Sequence, residues 1–534
     1  MRKFLGTFFN GKNSLSAAAI ILIVTLFLSN ILGMIRDHYL TQKIPTDTLS
    51  VYYAAFRIPD LIFNTLILGA ISAAFIPVFS ALITDKRHDE AWRTASSVIN
   101  IAIISLVFSC LVLGLFMPSI VPIYVHGFNA AQQGLTVKLA RIMLLTPIFF
   151  GLSYIFGAIL NSFQRFTVYS LSPLVYNLSI IAGTLFFTAR YGVVGVSVAV
   201  VAGAFLHMAI QIPVAIRLGF RWQKVFDLKS SFVRRIGKLM LPRALGLGAN
   251  QILLLFFTSI ASVLSGTAVA VYNLADNIQT MPMIVFGTSF AMAIFPTLSR
   301  KASENNHEQF SGYFMKSLRS ILFFMIPIVF AVYILKEQIV RLILGSGHFG
   351  WGQTLDTASC LGYFALALVF TSLVPLLARA FYALHNTRIP MMATVITVVV
   401  SVFFGYLLTP KTGVSGLAMA YSIGGFINAA VLYVILRSKI KIDERSLLIF
   451  AGKVLGASAV MTAAMWEAII LGEAFNLHRV WGVLAQTAVA AVVGTAVFLV
   501  LTWILDCEEI ASIKVVLSKL TGRSLAGSTE ERGS

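Results

Sequence analysis

The chain has 534 residues, 58% hydrophobic and only 11% charged, with a mean hydropathy of +0.88. Soluble domains carry about 25% charged residues, so these values exclude an ordinary soluble globular fold. The net charge of +19 would suggest nucleic acid in a soluble protein, but a membrane protein gathers Lys and Arg in its cytoplasmic connections, and that reading fits here.

Apolar runs of roughly 20 residues, long enough to cross a bilayer, recur from end to end. Arg2, Lys3 and Lys12 precede the first, which continues from Leu15 to Ile35 without a cleavage-like end and reads as a retained helix. The second, near 50–83, is interrupted at Pro59 and Gly69. Spans then follow near 93–117, 136–161, 169–189, 194–217, 236–263, 268–298, 312–335, 355–384, 389–408 and 413–437. A final pair lies near 447–472 and 480–505, before a polar tail from Asp506 to Ser534. The expectation is an all-α polytopic membrane protein of about fourteen helices.

Alternate connections are rich in basic residues, as in Lys86, Arg87 and Arg93, then Arg217 to Lys238, then Arg300 and Lys301, then Arg437 to Arg445. The connections 118–135 and 264–269 have none. The basic set reads as cytoplasmic, which places both termini inside.

An internal repeat is visible. Tyr191 to Phe205 (YGVVGVSVAVVAGAF) matches Thr412 to Phe426 (TGVSGLAMAYSIGGF), with Gly192 on Gly413 and Gly195 on Gly416. Ala74 to Ser80 (AFIPVFS) resembles Ala293 to Ser299 (AIFPTLS), and Tyr53 falls on Tyr272. Both matches share an offset of about 220 residues. An even number of spans per half implies two six-helix lobes related by a parallel repeat. The expected divisions are 1–225, 226–440, a helix pair at 441–506 and a cytoplasmic tail at 507–534.

No catalytic motif is present: no phosphate-binding loop, no dinucleotide turn, no zinc-protease helix and no nucleophile elbow. Cys110, Cys360 and Cys507 are scattered and form neither a metal set nor a disulfide framework. The chain reads as a transporter without cofactors, driven by the membrane potential, an ion gradient or the substrate's own downhill flux. Its informative residues are charges and amides at membrane depth, which are costly without a wet cavity or a partner. Arg57 and Asp60 flank Pro59 in an apolar run; Arg36 and Asp37 close the first span; Asn30, Arg243, Asp276 and Asn277 lie inside spans. His207 reads as a buried, hydrogen-bonded helix residue. A basic, amide-lined cavity suits an anionic or sugar-bearing substrate, and arginine presents fixed donors to phosphate oxygens.

Leu32 to Asp37 (LGMIRD), Ala55 to Pro59 (AFRIP), Gly157 to Phe166 (GAILNSFQRF), Pro242 to Gln251 (PRALGLGANQ), Tyr272 to Asp276 (YNLAD) and Arg379 to Pro390 (RAFYALHNTRIP) stand in a telling order. On these the chain resembles the MurJ/MviN lipid II flippases of the multidrug/oligosaccharidyl-lipid/polysaccharide exporter superfamily. The resemblance implies fourteen helices around a central basic cavity, a lipid-tail groove formed with the last helix pair, and a bacterial cytoplasmic membrane location. It implies flipping of undecaprenyl-diphosphate-disaccharide-pentapeptide to the outer leaflet by alternating access, alongside membrane lipids and cell-wall synthesis enzymes. Arg36, Asp37, Arg57 and Asp276 match the family pattern. Asn30, Phe63, Leu68 and Asn277 stand where members usually carry charge, which implies a less basic cavity; Arg57, Arg141 and Arg243 are the residues left to supply it. Asn250 and Thr394 lie where some members have sodium-site carboxylates. Two rivals follow: an exporter of another polyprenyl-diphosphate oligosaccharide, and a non-transporting cell-wall scaffold.

Overall fold

The structure, a computed structural model, describes residues 15–68, 75–227, 229–472 and 480–510. Gly69 and the tail beyond Ile510 lie outside the described residues. In chain order the helices are α1 (Leu15–Lys43), α2 (Thr46–Ala55), α3 (Arg57–Ile62), α4 (Ile76–Thr84), α5 (His88–Tyr124), α6 (Ala130–Met143), α7 (Thr146–Ser162), α8 (Phe166–Ala209) and α9 (Ile212–Arg217). They continue with α10 (Ser231–Leu264), α11 (Ala268–Pro282), α12 (Ser289–Ser303), α13 (His307–Ile334), α14 (Lys336–Leu344), α15 (Trp351–Ala383), α16 (Arg388–Thr412), α17 (Ser415–Arg437), α18 (Glu444–Leu471) and α19 (Val480–Ile504). Among the described residues there is no strand, and ten helical runs are long and apolar enough to cross a membrane.

Two of the four spans that separate ten runs from the expected fourteen are accounted for by helix irregularities. The expected second span is not one helix: it divides into α2, α3, a π-helical turn at Phe63–Leu68, and α4. The run Phe166–Arg217 counts once, although its 52 residues would extend ~78 Å at ~1.5 Å per residue, far more than the ~30 Å hydrocarbon core. Gly192 breaks it, at φ 56° and ψ −146°. Gly413, between α16 and α17, repeats the conformation at φ 62° and ψ −145°. Only glycine adopts this region without strain of about 1–3 kcal/mol. Gly192→Ala and Gly413→Ala should therefore each lower the detergent melting temperature. Gly456→Ala, at a helical glycine with open space around it, should leave it unchanged or raise it.

A second irregularity recurs in the same way. Phe63–Leu68 and Met283–Thr288 are both π-helical turns, and the repeat aligns them. Single π turns inside α-helices are uncommon and frequently lie at functional sites.

The chain forms two compact units: residues 1–281, 343–367 and 387–431, and residues 282–342, 368–386 and 432–534. The first is centred on buried aromatics including Tyr52, Phe75, Phe79, Phe257, Tyr272 and Phe364. The second has its own core, in which Phe323 and Ile326 of α13 meet Phe450, Val454, Met461 and Met465 of α18 and Phe498 of α19. Arg319 ties α13 to α18 by donating to Ser446 Oγ at 2.6 Å, its guanidinium lying 5.1 Å from the Phe450 ring centre. Large apolar side chains point outward in both units. Leu115, Ile123, Leu471 and Trp481 are each at least 75% exposed, an arrangement that lipid accommodates and water does not.

Candidate functional site

Four of the polar residues singled out in the sequence, Arg36, Asp37, Arg57 and Asn277, fall in two hydrogen-bonded groups within the first unit. The first begins near the middle of α1. Arg36 Nε and Nη2 donate to Asp37 Oδ1 at 2.9 and 2.8 Å, and Nη1 donates to Asn177 Oδ1 at 3.2 Å. Adjacent positions on a helix do not normally face each other. The guanidinium therefore folds back across its own helix, where α8 supplies Asn177. Asn177 Nδ2 in turn donates to the Ser29 carbonyl and hydroxyl, both at 3.3 Å. The second oxygen of Asp37 accepts from Asn277 Nδ2 of α11 at 2.8 Å. Asp37 is thus held between a cation of its own helix and an amide of α11, and is only 3% exposed. The Arg36 side chain keeps 21% of its surface accessible.

The second group surrounds Arg57 at the start of α3. Its Nε donates to Thr258 Oγ1 at 2.7 Å and its Nη2 to Asn273 Oδ1 at 2.6 Å. Both partners are neutral and already committed to helix backbone: Thr258 donates to the Leu254 carbonyl and Asn273 to the Val269 carbonyl. Arg57 is 7% exposed, and no ion pair involves it among the described residues. A buried guanidinium is normally matched by a carboxylate; this one is solvated by dipoles instead.

The remaining expected residues are placed less tightly. Asp276 accepts from Gln279 of its own helix at 2.8 Å. Asp60 is half-buried, and its carboxylate accepts no side-chain hydrogen bond among the described residues. Asn30 donates to the Leu26 carbonyl one turn earlier at 2.8 Å, so in this structure it serves its own helix. Arg243 lies on α10, and its side chain is outside those described. Arg141, weighed as a source of cavity charge, is exposed and donates to the Gly114 carbonyl at 2.9 Å. Asn250 is exposed on α10, and Thr394 donates within α16 to Pro390 at 2.9 Å. His207 is 5% exposed and sits 2.6 Å from Ser153 Oγ, as its sequence position suggested.

Thr258 is the functional candidate that sequence reasoning missed. A threonine in an apolar helix carries no signal until its partner, 201 residues away, is known. No group of three or more His, Cys, Asp or Glu that could hold a metal occurs among the described residues.

A family model for the lipid II flippase MurJ matches residues 45–488, a stretch containing Arg57, Thr258, Asn273, Asp276 and Asn277. The chain belongs to the MurJ lipid II flippase family. Similar curated relatives include the probable lipid II flippase MurJ of Rhizobium tropici, 28% identical over 91% of this chain and 93% of that protein. That of Rhizobium meliloti is 30% identical over 83% and 84%. Among solved structures, a lipid II flippase MurJ in an inward closed conformation aligns with a TM-score of 0.77 at 22% identity, over 91% of this chain and 98% of that one. An inward-facing multidrug transporter of the MATE family, in the MOP superfamily, aligns at 0.65 and 16% identity over 79% and 98%. The chain shares the fold of both solved structures, and members of its family are transporters rather than enzymes.

Proposed function

We propose that this chain carries lipid II from the cytoplasmic to the outer leaflet of the bacterial cytoplasmic membrane by alternating access, with both termini on the cytoplasmic side. The family match over residues 45–488 carries the substrate class. Arg57 carries the mechanism: a buried guanidinium held by two neutral acceptors keeps its full charge for an incoming diphosphate. Arg36 is paired with Asp37, Asn177 and Asn277 fix the pair from α8 and α11, and the accessible part of the Arg36 side chain meets the headgroup. Asp276 and Asp60 balance charge near the headgroup, and Asn30 and Arg243 line the same path. The fourteen-span reading, with two six-helix lobes and a terminal pair, is supported by the π turns and the strained glycines that recur at the repeat offset. The membrane potential or an ion gradient drives the cycle, and the flipped product passes to cell-wall synthesis enzymes.

The test is complementation. Expressed in bacteria depleted of their own lipid II flippase, the chain should restore growth and make lipid II accessible on the outer face. A well-expressed chain that fails to do so would transfer the proposal to a second reading, export of another polyprenyl-diphosphate oligosaccharide. One observation favours that reading: the second oxygen of Asp37 meets the amide of Asn277 and not a second cation, so the Arg36–Asp37 group has no net charge. Reconstituted vesicles with labelled lipid would separate either reading from a scaffold without transport.

A further inference from the structure

Two glycines far apart in sequence make the same contact. A Cβ on Gly127 would fall on the Ser262 carbonyl and lie 2.5 Å from Val263 Cα. A Cβ on Gly347 would fall on the Gln42 carbonyl and lie 2.6 Å from Gln42 Cα. Cα–H to oxygen contacts between closely packed backbones settle near 3.3–3.6 Å, so each site admits glycine alone.

The two contacts are one contact, repeated. The backbone amide of Ala270 donates to Ser50 Oγ at 3.0 Å across 220 residues, so positions equivalent in the two halves touch each other, as they do beside a two-fold axis. Shifted by the same 220, Gly127 becomes Gly347 and Ser262 becomes Gln42. Each half therefore presses a glycine loop onto the end of the first helix of the other half. Polar contacts surround both points. The Gly127 amide donates to Ser262 Oγ at 3.3 Å, and His126 Nδ1 lies 3.4 Å from Ser259 Oγ. On the other side His38 Nδ1 donates to the Ile343 carbonyl at 2.8 Å and Thr41 to the Leu344 carbonyl at 3.1 Å. All these residues belong to the first unit, and all lie at span ends that the positive-inside rule places outside.

We infer that Gly127 and Gly347 form a pair of symmetry-related backbone latches that close the outer side of the substrate path and must separate for the headgroup to leave. This rests on the transport reading above. Backbone-on-backbone contact gives little side-chain interlock, so the latch closes tightly yet costs few hydrogen bonds to open.

The experiment uses the full chain carrying Asn64→Cys, a half-buried position in the π turn Phe63–Leu68 of the second expected span, since Cys110, Cys360 and Cys507 are all buried. Gly127→Ala and Gly347→Ala should each raise labelling by an impermeant maleimide added outside by about tenfold or more, and each should abolish flipping. Gly134→Ala, at an open helical site nearby, should change neither. Glycine variants that accumulate normally and behave like Gly134→Ala would overturn the inference. If they fail to accumulate, the pair His126→Cys and Ser259→Cys decides. Oxidation should stop flipping and reductant should restore it, whereas full flipping after oxidation would overturn the latch. A wild-type chain that never flips lipid II refutes the transport reading, while the labelling arm still tests the closure.

Discussion

Arg57→Ala is expected to abolish complementation in flippase-depleted cells while leaving the amount of membrane-inserted protein near wild type. The asymmetry follows from the partners. Thr258 and Asn273 each also donate to helix backbone, so removing Arg57 strands neutral acceptors that retain a role, not a buried charge. The cost to folding should be about 1–3 kcal/mol, the range for an unsatisfied buried polar group. The cost to substrate is larger. Each charge-assisted hydrogen bond to a diphosphate contributes about 1.5–3 kcal/mol, so two lost contacts weaken headgroup affinity by roughly two to four orders of magnitude. Arg57→Lys is the informative companion. It keeps the charge but cannot span Thr258 and Asn273 with one planar fork, and should transport at a reduced rate with protein levels intact. Normal growth of Arg57→Ala would remove Arg57 from the substrate path.

What the sequence made legible is the part governed by hydropathy and charge. Lipid demands long apolar helices, and the runs from Leu15 to Ile504 announce them. Burying Arg36, Asp37 and Arg57 demands partners, and all three have them. The repeat was readable too, because Gly192 and Gly413 need a conformation that only glycine adopts. Pairings across distance were not. Arg36 to Asn177, Arg57 to Asn273 and Asp37 to Asn277 span 141, 216 and 240 residues, and asparagine in a membrane helix bonds as readily to its own turn, as Asn30 does. The π turns left no trace either, since FNTLIL and MIVFGT share no residue pattern. Gly127 and Gly347 look like ordinary loop glycines until the opposing carbonyls are seen.

Asp37→Ala should be the most destabilising single change at the site, and the double change should reveal why. Asp37 is nearly fully buried and answers both Arg36 and Asn277. Breaking a buried ion pair by deleting one member costs about 3–5 kcal/mol when the survivor is fully enclosed. Arg36 retains some access to solvent, so the lower end, ~3 kcal/mol, is the expectation. Asp37→Asn, which preserves one acceptor, should cost less. Arg36→Met combined with Asp37→Leu removes both charges and replaces them with apolar volume, and should recover most of the lost melting temperature. Stability and transport then part company. If the pair serves only to hold α1 against α8 and α11, the stable double variant will flip lipid. If Arg36 also meets the headgroup, the double variant will be stable and inactive. The second outcome is expected, because the Arg36 side chain keeps 21% of its surface accessible while Asp37 is enclosed. A thermally stable, fully active double variant would reduce Arg36 and Asp37 to scaffolding and leave Arg57 as the headgroup cation at this site.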